Sequence, residues 1–152
     1  MAVVVRKATA ADLPRLVELL GQLAFDPAQE QSPGEALIPE YEKAFAAIEA
    51  DERQQLLVVE DDGRVMGTAA VVFVPNLTHR GQPYAIVENV VVDGAARGQG
   101  YGAVLMRHAI DLARTAGCFK VALTSNVRRT EAHRFYERLG FVFSHRGYRI
   151  DF

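Results

Sequence analysis

Cysteine, tryptophan and long apolar runs are scarce in this chain. It has one cysteine, Cys118, and no tryptophan in 152 residues. A single cysteine excludes an internal disulfide, and no apolar run reaches the roughly 20 residues of a membrane-spanning helix. The N-terminus has no basic segment ahead of its apolar residues and no small-residue cleavage site, which indicates a first strand rather than an export signal. These absences predict a cytoplasmic protein that does not enter a membrane.

Clusters of positive charge are also missing. The formal net charge is −2, and lysine and arginine never gather into a basic run. Because a polyanion binds through such clusters, nucleic acid is not expected as a partner. The histidines and the cysteine show no spacing typical of a metal-ligand set, so no metal is predicted. The apolar share of 49% and the charged share of 24% are those of an ordinary globular chain, and we expect one domain over residues 1–152.

The first 50 residues predict a strand, a helix, a loop and a second helix. Residues 3–5 form a β-branched run that is typical of a strand. Thr9 followed by Asp12 resembles a capping box ahead of an apolar helical pattern that runs through Leu20. Residues 25–39 contain three prolines and predict a loop that could border a substrate pocket. The second helix follows through Ile48.

The remaining residues alternate between strand and helix patterns. Asp61-Asp62-Gly63 separates two β-branched runs, 56–59 and 65–74, and an Asp-Gly turn in that setting predicts a hairpin. Further strands are predicted at 84–92, 119–124, 141–143 and 148–150, and further helices at 100–116 and 130–139. This order indicates the α/β (α+β) class, with a mixed, mostly antiparallel, twisted sheet of six to seven strands flanked by about four helices.

A glycine-rich turn joins the predicted fourth strand to the third long helix. Its central residues are Arg97-Gly98-Gln99-Gly100-Tyr101-Gly102. Glycines let the backbone approach a ligand closely, and the unpaired N–H groups of a helix's first turn attract anions, so a diphosphate is the expected ligand. The segment has neither the Gly-Lys-Ser/Thr ending of a P-loop nor the G-x-G-x-x-G spacing of a dinucleotide fold. A motif this short also arises by chance in ordinary turns.

The segment resembles the acetyl-CoA signature Q/R-x-x-G-x-G/A of the GNAT superfamily. Phe135-Tyr136-Glu137-Arg138-Leu139-Gly140-Phe141 is similar to that family's FYxxxGF segment, and Asn126 follows the predicted fifth strand where such enzymes often carry an asparagine. Residues 88–92 and 117–121 resemble glucosamine 6-phosphate N-acetyltransferases. Residues 132–145 resemble aminoalkylphosphonate N-acetyltransferases. The resemblance covers nearly the whole chain and implies the GNAT fold.

The resemblance also implies an activity and the residues that perform it. The expected reaction is direct transfer of an acetyl group from acetyl-CoA to the primary amine of a small anionic molecule. Glu88 is expected to remove the proton from the amine, directly or through a water, and Tyr136 to protonate the leaving thiolate. The alternatives are that Glu88 faces solvent or pairs with an arginine, and that Tyr136 only packs beside Phe135 and Phe141. The residues expected to bind the cofactor are Val90, Val91, Val92, Arg97, Gly98, Gln99, Gly100, Tyr101, Gly102, Asn126 and His133.

The acceptor side is less defined. Asn89, His79, Arg129 and Arg146 are candidates for binding the acceptor and its anionic end, although such residues often lie on an ordinary solvated surface. Asn126 could equally be a turn residue at a strand end. The acceptor could instead be a polyamine, an aminoglycoside or a protein N-terminus, and a non-catalytic domain that binds acetyl-CoA is a further alternative. By analogy with the sugar-phosphate enzymes, we expect a homodimer.

Overall fold

The computed structural model describes residues 2–32 and 34–152. Met1, which precedes the first strand, and Pro33, in the predicted loop over 25–39, lie outside the described residues. The chain divides into two compact units, residues 1–122 and 123–152. The single domain expected from the sequence stays a prediction. No helix in the described ranges is long and apolar enough to cross a membrane.

The first unit is built on one five-stranded sheet. Its strands follow one another in both sequence and space, in the order β1-β2-β3-β4-β5. The first four strands pair antiparallel, and β5 pairs parallel to β4. The strands are β1 (Val3–Lys7), β2 (Gln54–Asp61), β3 (Arg64–Val74), β4 (Tyr84–Val92) and β5 (Val121–Ala122).

The hairpin between β2 and β3 is confirmed. Asp61 pairs with Arg64 across a two-residue turn. The turn residues Asp62 and Gly63 have φ values of 48° and 80°, both in the left-handed region. Two successive residues of this kind form the turn whose twist matches that of antiparallel strands, and Asp-Gly is among the sequences that adopt it at least cost.

Among the described residues, four α-helices belong to the first unit and one to the second. In the first unit they are α1 (Leu13–Gly21), α2 (Pro39–Ala50), α3 (Thr78–Gly81) and α4 (Tyr101–Thr115), and in the second α5 (Thr130–Arg138). The capping box before α1 is confirmed, since the Asp12 carboxylate accepts a hydrogen bond from the Thr9 N–H at 2.7 Å. The sequence predicted about four helices. The fifth, α3, is a single turn in which His79 and Arg80 have left-handed φ values.

Helix α1 packs on the sheet through its apolar face. Leu16 and Leu19 are almost completely buried against Val58, Val65 and Val91. Burial of side chains of this size contributes about 1.5 to 3 kcal/mol each. This packing fixes α1 beside the end of β4, which is where the glycine-rich turn begins.

The predicted strand count of six to seven is wrong. The fifth strand covers only Val121–Ala122 instead of 119–124, and residues 141–143 and 148–150 form no strand. Their apolar side chains are exposed, with Val142 at 82% and Ile150 at 83% of full accessibility. A β-branched pattern becomes a strand only where a partner strand pairs with its backbone, and the second unit has no strand to offer in its described residues.

Candidate active site

A bulge interrupts β4 at Asn89. Ala70 of β3 pairs with Glu88 and Thr68 pairs with Val91, so two β4 residues, Asn89 and Val90, lie opposite a single β3 residue. Asn89 has a φ of 53°, the left-handed conformation that such a bulge requires. Asparagine is one of the few residues besides glycine that adopts it readily. The register and the conformation of Asn89 together identify a β-bulge in this strand.

The half of β4 that follows Ile86 is paired on one edge within its unit. Strand β5 registers with β4 only at Ala85 and Ile86, whereas β3 continues to pair with β4 as far as Val92. Among the described residues of this unit, no strand pairs with the second edge over residues 87–92. Val91 is buried in the core, so only the backbone of this residue is available to a ligand. Val90 and Val92 are half-buried.

Glu88 and Asn89 are both exposed at the bulge. The Glu88 carboxylate is accessible to solvent, and no hydrogen bond or ion pair reaches it from the described residues. Glu88 continues the alternation in which Ala85 and Val87 face the core, whereas Asn89, at the next core-facing position, is exposed because the bulge breaks that alternation. The role of Glu88 as a base stays a prediction that depends on its position beside the bulge.

The glycine-rich turn leaves the start of α4 open. Gly98 and Gly100 have φ values of 79° and 87°, and a Cβ atom at either position would have no other atom within 4 Å. Gly100 is the N-cap and therefore provides no capping side chain. The Val104 N–H bonds to the Gly100 carbonyl at 3.1 Å, so the N–H groups of residues 101–103 have no acceptor within the helix.

This geometry suits an anion. A helix N-terminus carries partial positive charge, and α4 has 15 residues with no acidic residue in its first turn to compete for its N–H groups. Arg97 is exposed next to Gly98 in the turn. Gln99 is exposed and Gly102 half-buried beside the same N–H groups. The residues predicted to hold a diphosphate thus surround one open helix end.

The side chain of Tyr101 points away from that opening. Its hydroxyl donates a hydrogen bond to the Asp61 carboxylate at 2.5 Å, and the residue is only 6% exposed. The hydrogen bond to Asp61 raises the pKa of the Tyr101 hydroxyl, so the group stays protonated. If Tyr101 contributes to cofactor binding as the sequence predicts, we therefore expect its backbone N–H to make the contact.

Sequence reasoning missed the residues that anchor the beginning of the turn. Asp93 is buried and forms a 2.6 Å ion pair with Arg15 of α1. The hydrogen bond from Arg15, followed by that from the Ala95 N–H, lowers the pKa of Asp93 to about 2. Gln22, which follows α1, accepts a hydrogen bond from the Gly94 N–H at 2.8 Å. No local sequence pattern indicates these contacts, because 71 to 78 residues separate the partners.

The second unit brings together three of the predicted site residues at the start of α5. The Asn126 side chain accepts a hydrogen bond from the Arg128 N–H at 2.9 Å, which is the turn geometry weighed as an alternative for this residue. The Asn126 carbonyl lies 2.8 Å from His133 Nε2, so this nitrogen carries the proton and donates it. The Arg129 N–H donates to the same carbonyl at 2.9 Å.

Tyr136 belongs to the C-terminal cap of α5. The Phe141 N–H donates to the Tyr136 carbonyl and the Gly140 N–H to the Glu137 carbonyl, and Gly140 has a φ of 100°. These are the two bonds of a Schellman motif, and the accompanying apolar contact is the edge-to-face pair of Tyr136 and Phe141, whose ring centroids are 5.9 Å apart. The glycine and final phenylalanine of the FYxxxGF segment thus end the helix.

The hydroxyl of Tyr136 remains protonated at neutral pH. Burial raises its pKa, and the positive charge of Arg129 opposes part of that effect. A protonated phenol is the form that can give a proton to a leaving group. The predicted catalytic residues therefore lie in different units, Glu88 in the first and Tyr136 in the second.

The remaining acceptor-side candidates are exposed. His79 stacks on Phe119 with ring centroids 3.7 Å apart, in the first unit. Lys120 lies over the Tyr84 ring at 5.0 Å, which adds a positive charge near this aromatic pair. Arg146 is exposed in the second unit. Within the described residues, no group of three histidine, cysteine or acidic side chains could hold a metal ion.

Known proteins with similar sequences and structures include acetyltransferases. The glucosamine 6-phosphate N-acetyltransferase 1 of Oryza sativa subsp. japonica is 36% identical over 141 residues, which cover 91% of this chain and 80% of that enzyme. The aminoalkylphosphonate N-acetyltransferase of Salmonella typhimurium is 33% identical over 105 residues, 69% of this chain and 68% of the enzyme. A crystal structure of a protein described as a transcriptional regulator, from Bacillus halodurans C-125, has a TM-score of 0.94 and 36% identity, with 99% of this chain and 100% of that chain covered.

The sequence model of the Acetyltransferase (GNAT) family matches residues 17–141. That span includes β2 to β5, the glycine-rich turn and α5. The expected fold class and the resemblance on which it was based are both confirmed. Its relatives include N-acetyltransferases, and this chain belongs to the GNAT acetyltransferase family.

Proposed function

We propose that this protein uses acetyl-CoA to acetylate the primary amine of a small anionic metabolite, by direct transfer while both substrates are bound. The observation that carries the proposal is the uncapped N-terminus of α4, which directly follows the bulged strand β4. Backbone N–H groups at such a helix end bind phosphate oxygens. Acetyl-CoA has a diphosphate for these donors and, when bound, supplies an activated acetyl group as a thioester.

The open edge of β4 suits the extended arm between the diphosphate and the thioester. The N–H and C=O groups of Val90, Val91 and Val92 can pair with the amides of that arm as a neighbouring strand would. A backbone N–H near Asn89 or Val90 would then donate to the thioester carbonyl oxygen, where negative charge develops during attack. The bulge supports this role, because it turns one backbone group out of the ladder with β3.

Proton movements are assigned to Glu88 and Tyr136. An alkyl ammonium has no lone pair for attack, so Glu88 takes one proton from it, directly or through a water. The nitrogen–carbon bond forms, the carbon–sulfur bond breaks, and the Tyr136 hydroxyl gives its proton to the departing sulfur. The nitrogen loses its second proton to solvent, and a proton from solvent restores the Tyr136 hydroxyl. The exposed carboxylate of Glu88 and the protonated state of Tyr136 support these assignments.

The acceptor class is inferred from the relatives and from the basic side chains predicted on the acceptor side. The rice enzyme is described as acting on glucosamine 6-phosphate and the Salmonella enzyme on aminoalkylphosphonates, and both compounds combine an amine with a phosphorus oxyanion. Arg129, Arg146 and His79 are the proposed ligands of that anion, because guanidinium groups match its geometry. Asn89 is proposed to bind the acceptor close to its amine.

The experiment is calorimetry with acetyl-CoA followed by a thiol-release assay on a panel of amines. The panel pairs glucosamine 6-phosphate with glucosamine, and 2-aminoethylphosphonate with ethanolamine, so that each pair differs in its anionic group. Spermidine represents cationic acceptors. We expect acetyl-CoA to bind and both anionic amines to be acetylated faster than their matched partners. No heat of binding would refute the use of acetyl-CoA, and equal rates within the pairs would refute the anionic acceptor.

A second candidate is a non-catalytic domain that binds acetyl-CoA. It is favoured by one observation, that the Bacillus halodurans relative is described as a transcriptional regulator. It predicts binding of acetyl-CoA without thiol release on any amine of the panel. The same experiment therefore separates the two candidates.

We also propose that the chain is one cytoplasmic domain and pairs as a homodimer through its C-terminal segment. Five large side chains of that segment are more than 80% exposed, namely Val142, Phe143, Tyr148, Ile150 and Phe152. An apolar strip of this kind is a common association surface. Sedimentation equilibrium should show a dimer for wild type and a monomer for Ile150→Asp. Unfolding should show one cooperative transition, as expected for a single domain. A monomeric wild type would refute the dimer.

A further inference from the structure

We propose that Gln22 is a positioning residue for the glycine-rich turn. Its carboxamide contacts both residues that open the turn: Oε1 accepts from the Gly94 N–H at 2.8 Å, and Nε2 donates to the Asp93 carboxylate at 3.4 Å. Gln22 is the C-cap residue that directly follows α1. This inference rests on the proposed function, because it assigns the turn to the diphosphate of acetyl-CoA.

The negative charge of Asp93 explains why the turn needs the two Gln22 contacts. A carboxylate next to an anion site opposes binding unless its charge is offset. Arg15 supplies the offset at 2.6 Å, and the Ala95 N–H donates to the other oxygen at 3.1 Å. Gln22 adds a donor to that second oxygen and at the same time removes the Gly94 N–H from solvent. The first two residues of the turn are thereby attached to α1.

The two Gln22 contacts require a side chain that both accepts and donates a hydrogen bond. One end of the side chain must accept from an N–H and the other must donate to a carboxylate, and the carboxamide of glutamine does both without a charge. Gln22→Glu keeps the length and the acceptor but places a second negative oxygen against Asp93. Gln22→Ala removes both contacts. Because Gln22 is exposed, neither change disturbs the core.

The positioning role predicts an effect on the turn itself and on binding. In the ligand-free protein, hydrogen exchange of the Gly94 amide should be roughly tenfold faster in Gln22→Ala than in wild type, since loss of the bond exposes this N–H. The Kd for coenzyme A, measured by calorimetry, should rise about threefold to tenfold in Gln22→Ala and at least as much in Gln22→Glu. KM for acetyl-CoA should rise in parallel while kcat stays within about twofold.

Glu18→Gln is the matched control. The Glu18 carboxylate contacts the outer side of the same Arg15 at 3.0 Å, is about half exposed and does not touch the turn. This variant should leave both Gly94 exchange and the Kd unchanged. Unaltered Gly94 exchange in Gln22→Ala, or a Kd in Gln22→Glu within twofold of wild type, would overturn the inference. If wild type itself failed to bind coenzyme A, the proposed function would be refuted. The hydrogen exchange of the Gly94 amide in Gln22→Ala would still show whether Gln22 positions the turn.

Discussion

Two glycines at opposite ends of α4 allow the binding role of its N-terminus to be separated from backbone strain. Gly100 precedes the helix with a φ of 87°, and Gly117 follows it with a φ of 78°. A Cβ atom at either position would have no other atom within 4 Å, so alanine meets no steric clash at either end. The cost of alanine is therefore the left-handed conformation alone, about 1 to 2 kcal/mol at each site.

Gly100→Ala and Gly117→Ala should consequently lower the free energy of unfolding by similar amounts. In a chain of this size the loss corresponds to a fall in Tm of roughly 2 to 8 °C. Only Gly100 borders the N–H groups of residues 101–103, where a methyl group occupies space that the diphosphate needs. We expect Gly100→Ala to raise the Kd for acetyl-CoA at least about tenfold, whereas Gly117→Ala leaves it within twofold.

Denaturant unfolding and calorimetry at 25 °C measure both quantities on the same preparations. The pair of variants controls for stability, since each carries the same strain on the same helix. Equal weakening of binding by both variants would attribute the effect to a loosened helix. Normal binding by Gly100→Ala would show that the diphosphate lies elsewhere, and either result would refute the reasoning.

Three further predictions concern single side chains. Glu88→Gln should lower kcat by roughly 10² to 10⁴ while the Kd for acetyl-CoA is unchanged, and a rate near that of wild type in a thiol-release assay would remove Glu88 as the base. Tyr136→Phe should lower kcat with acetyl-CoA affinity nearly intact, and unchanged turnover would leave Tyr136 only its packing role. Asp93 has a pKa of about 2 when folded, below the ordinary value near 4, so its ion pair stabilises the fold above pH 4 and this stabilisation disappears as the pH falls from about 4 to 2. Acid unfolding of Asp93→Asn should lack this component, on the order of 1 to 2 kcal/mol, and an identical pH profile to that of wild type would contradict the assignment.

Local signals predicted much of this fold from the sequence. The hairpin depends on two adjacent residues, Asp62 and Gly63, whose own conformations determine the turn. The start of α1 depends on Thr9 and Asp12, three positions apart, and the predicted helix over 130–139 is α5 with one residue fewer. Each of these features is complete within a few residues of chain, so the pattern carries the information needed to recognise it.

Features that depend on distant partners could not be predicted in this way. The strands expected at 141–143 and 148–150 had the right composition, but a strand also needs a neighbour. The exposure of Asn89 follows from an extra residue in β4, which is defined only by the register against β3. The contacts of Gln22 with Asp93 and of Tyr101 with Asp61 join residues 71 and 40 positions apart. Because polar residues such as Gln22 and Asp61 are common on protein surfaces, their presence in the sequence did not indicate these contacts.

The proposed recognition by main-chain amides at the start of α4 would limit how this protein can change its affinity for a cosubstrate. The donors are present whatever side chains the turn carries, so substitutions at Gln99 or at position 102 alter the shape of the opening more than the number of hydrogen bonds it offers. Changes in affinity for the cosubstrate must then come from neighbouring residues that hold the glycine-rich turn in place. Engineers who wish to tune cosubstrate affinity without touching the acceptor side should begin with the end of α1.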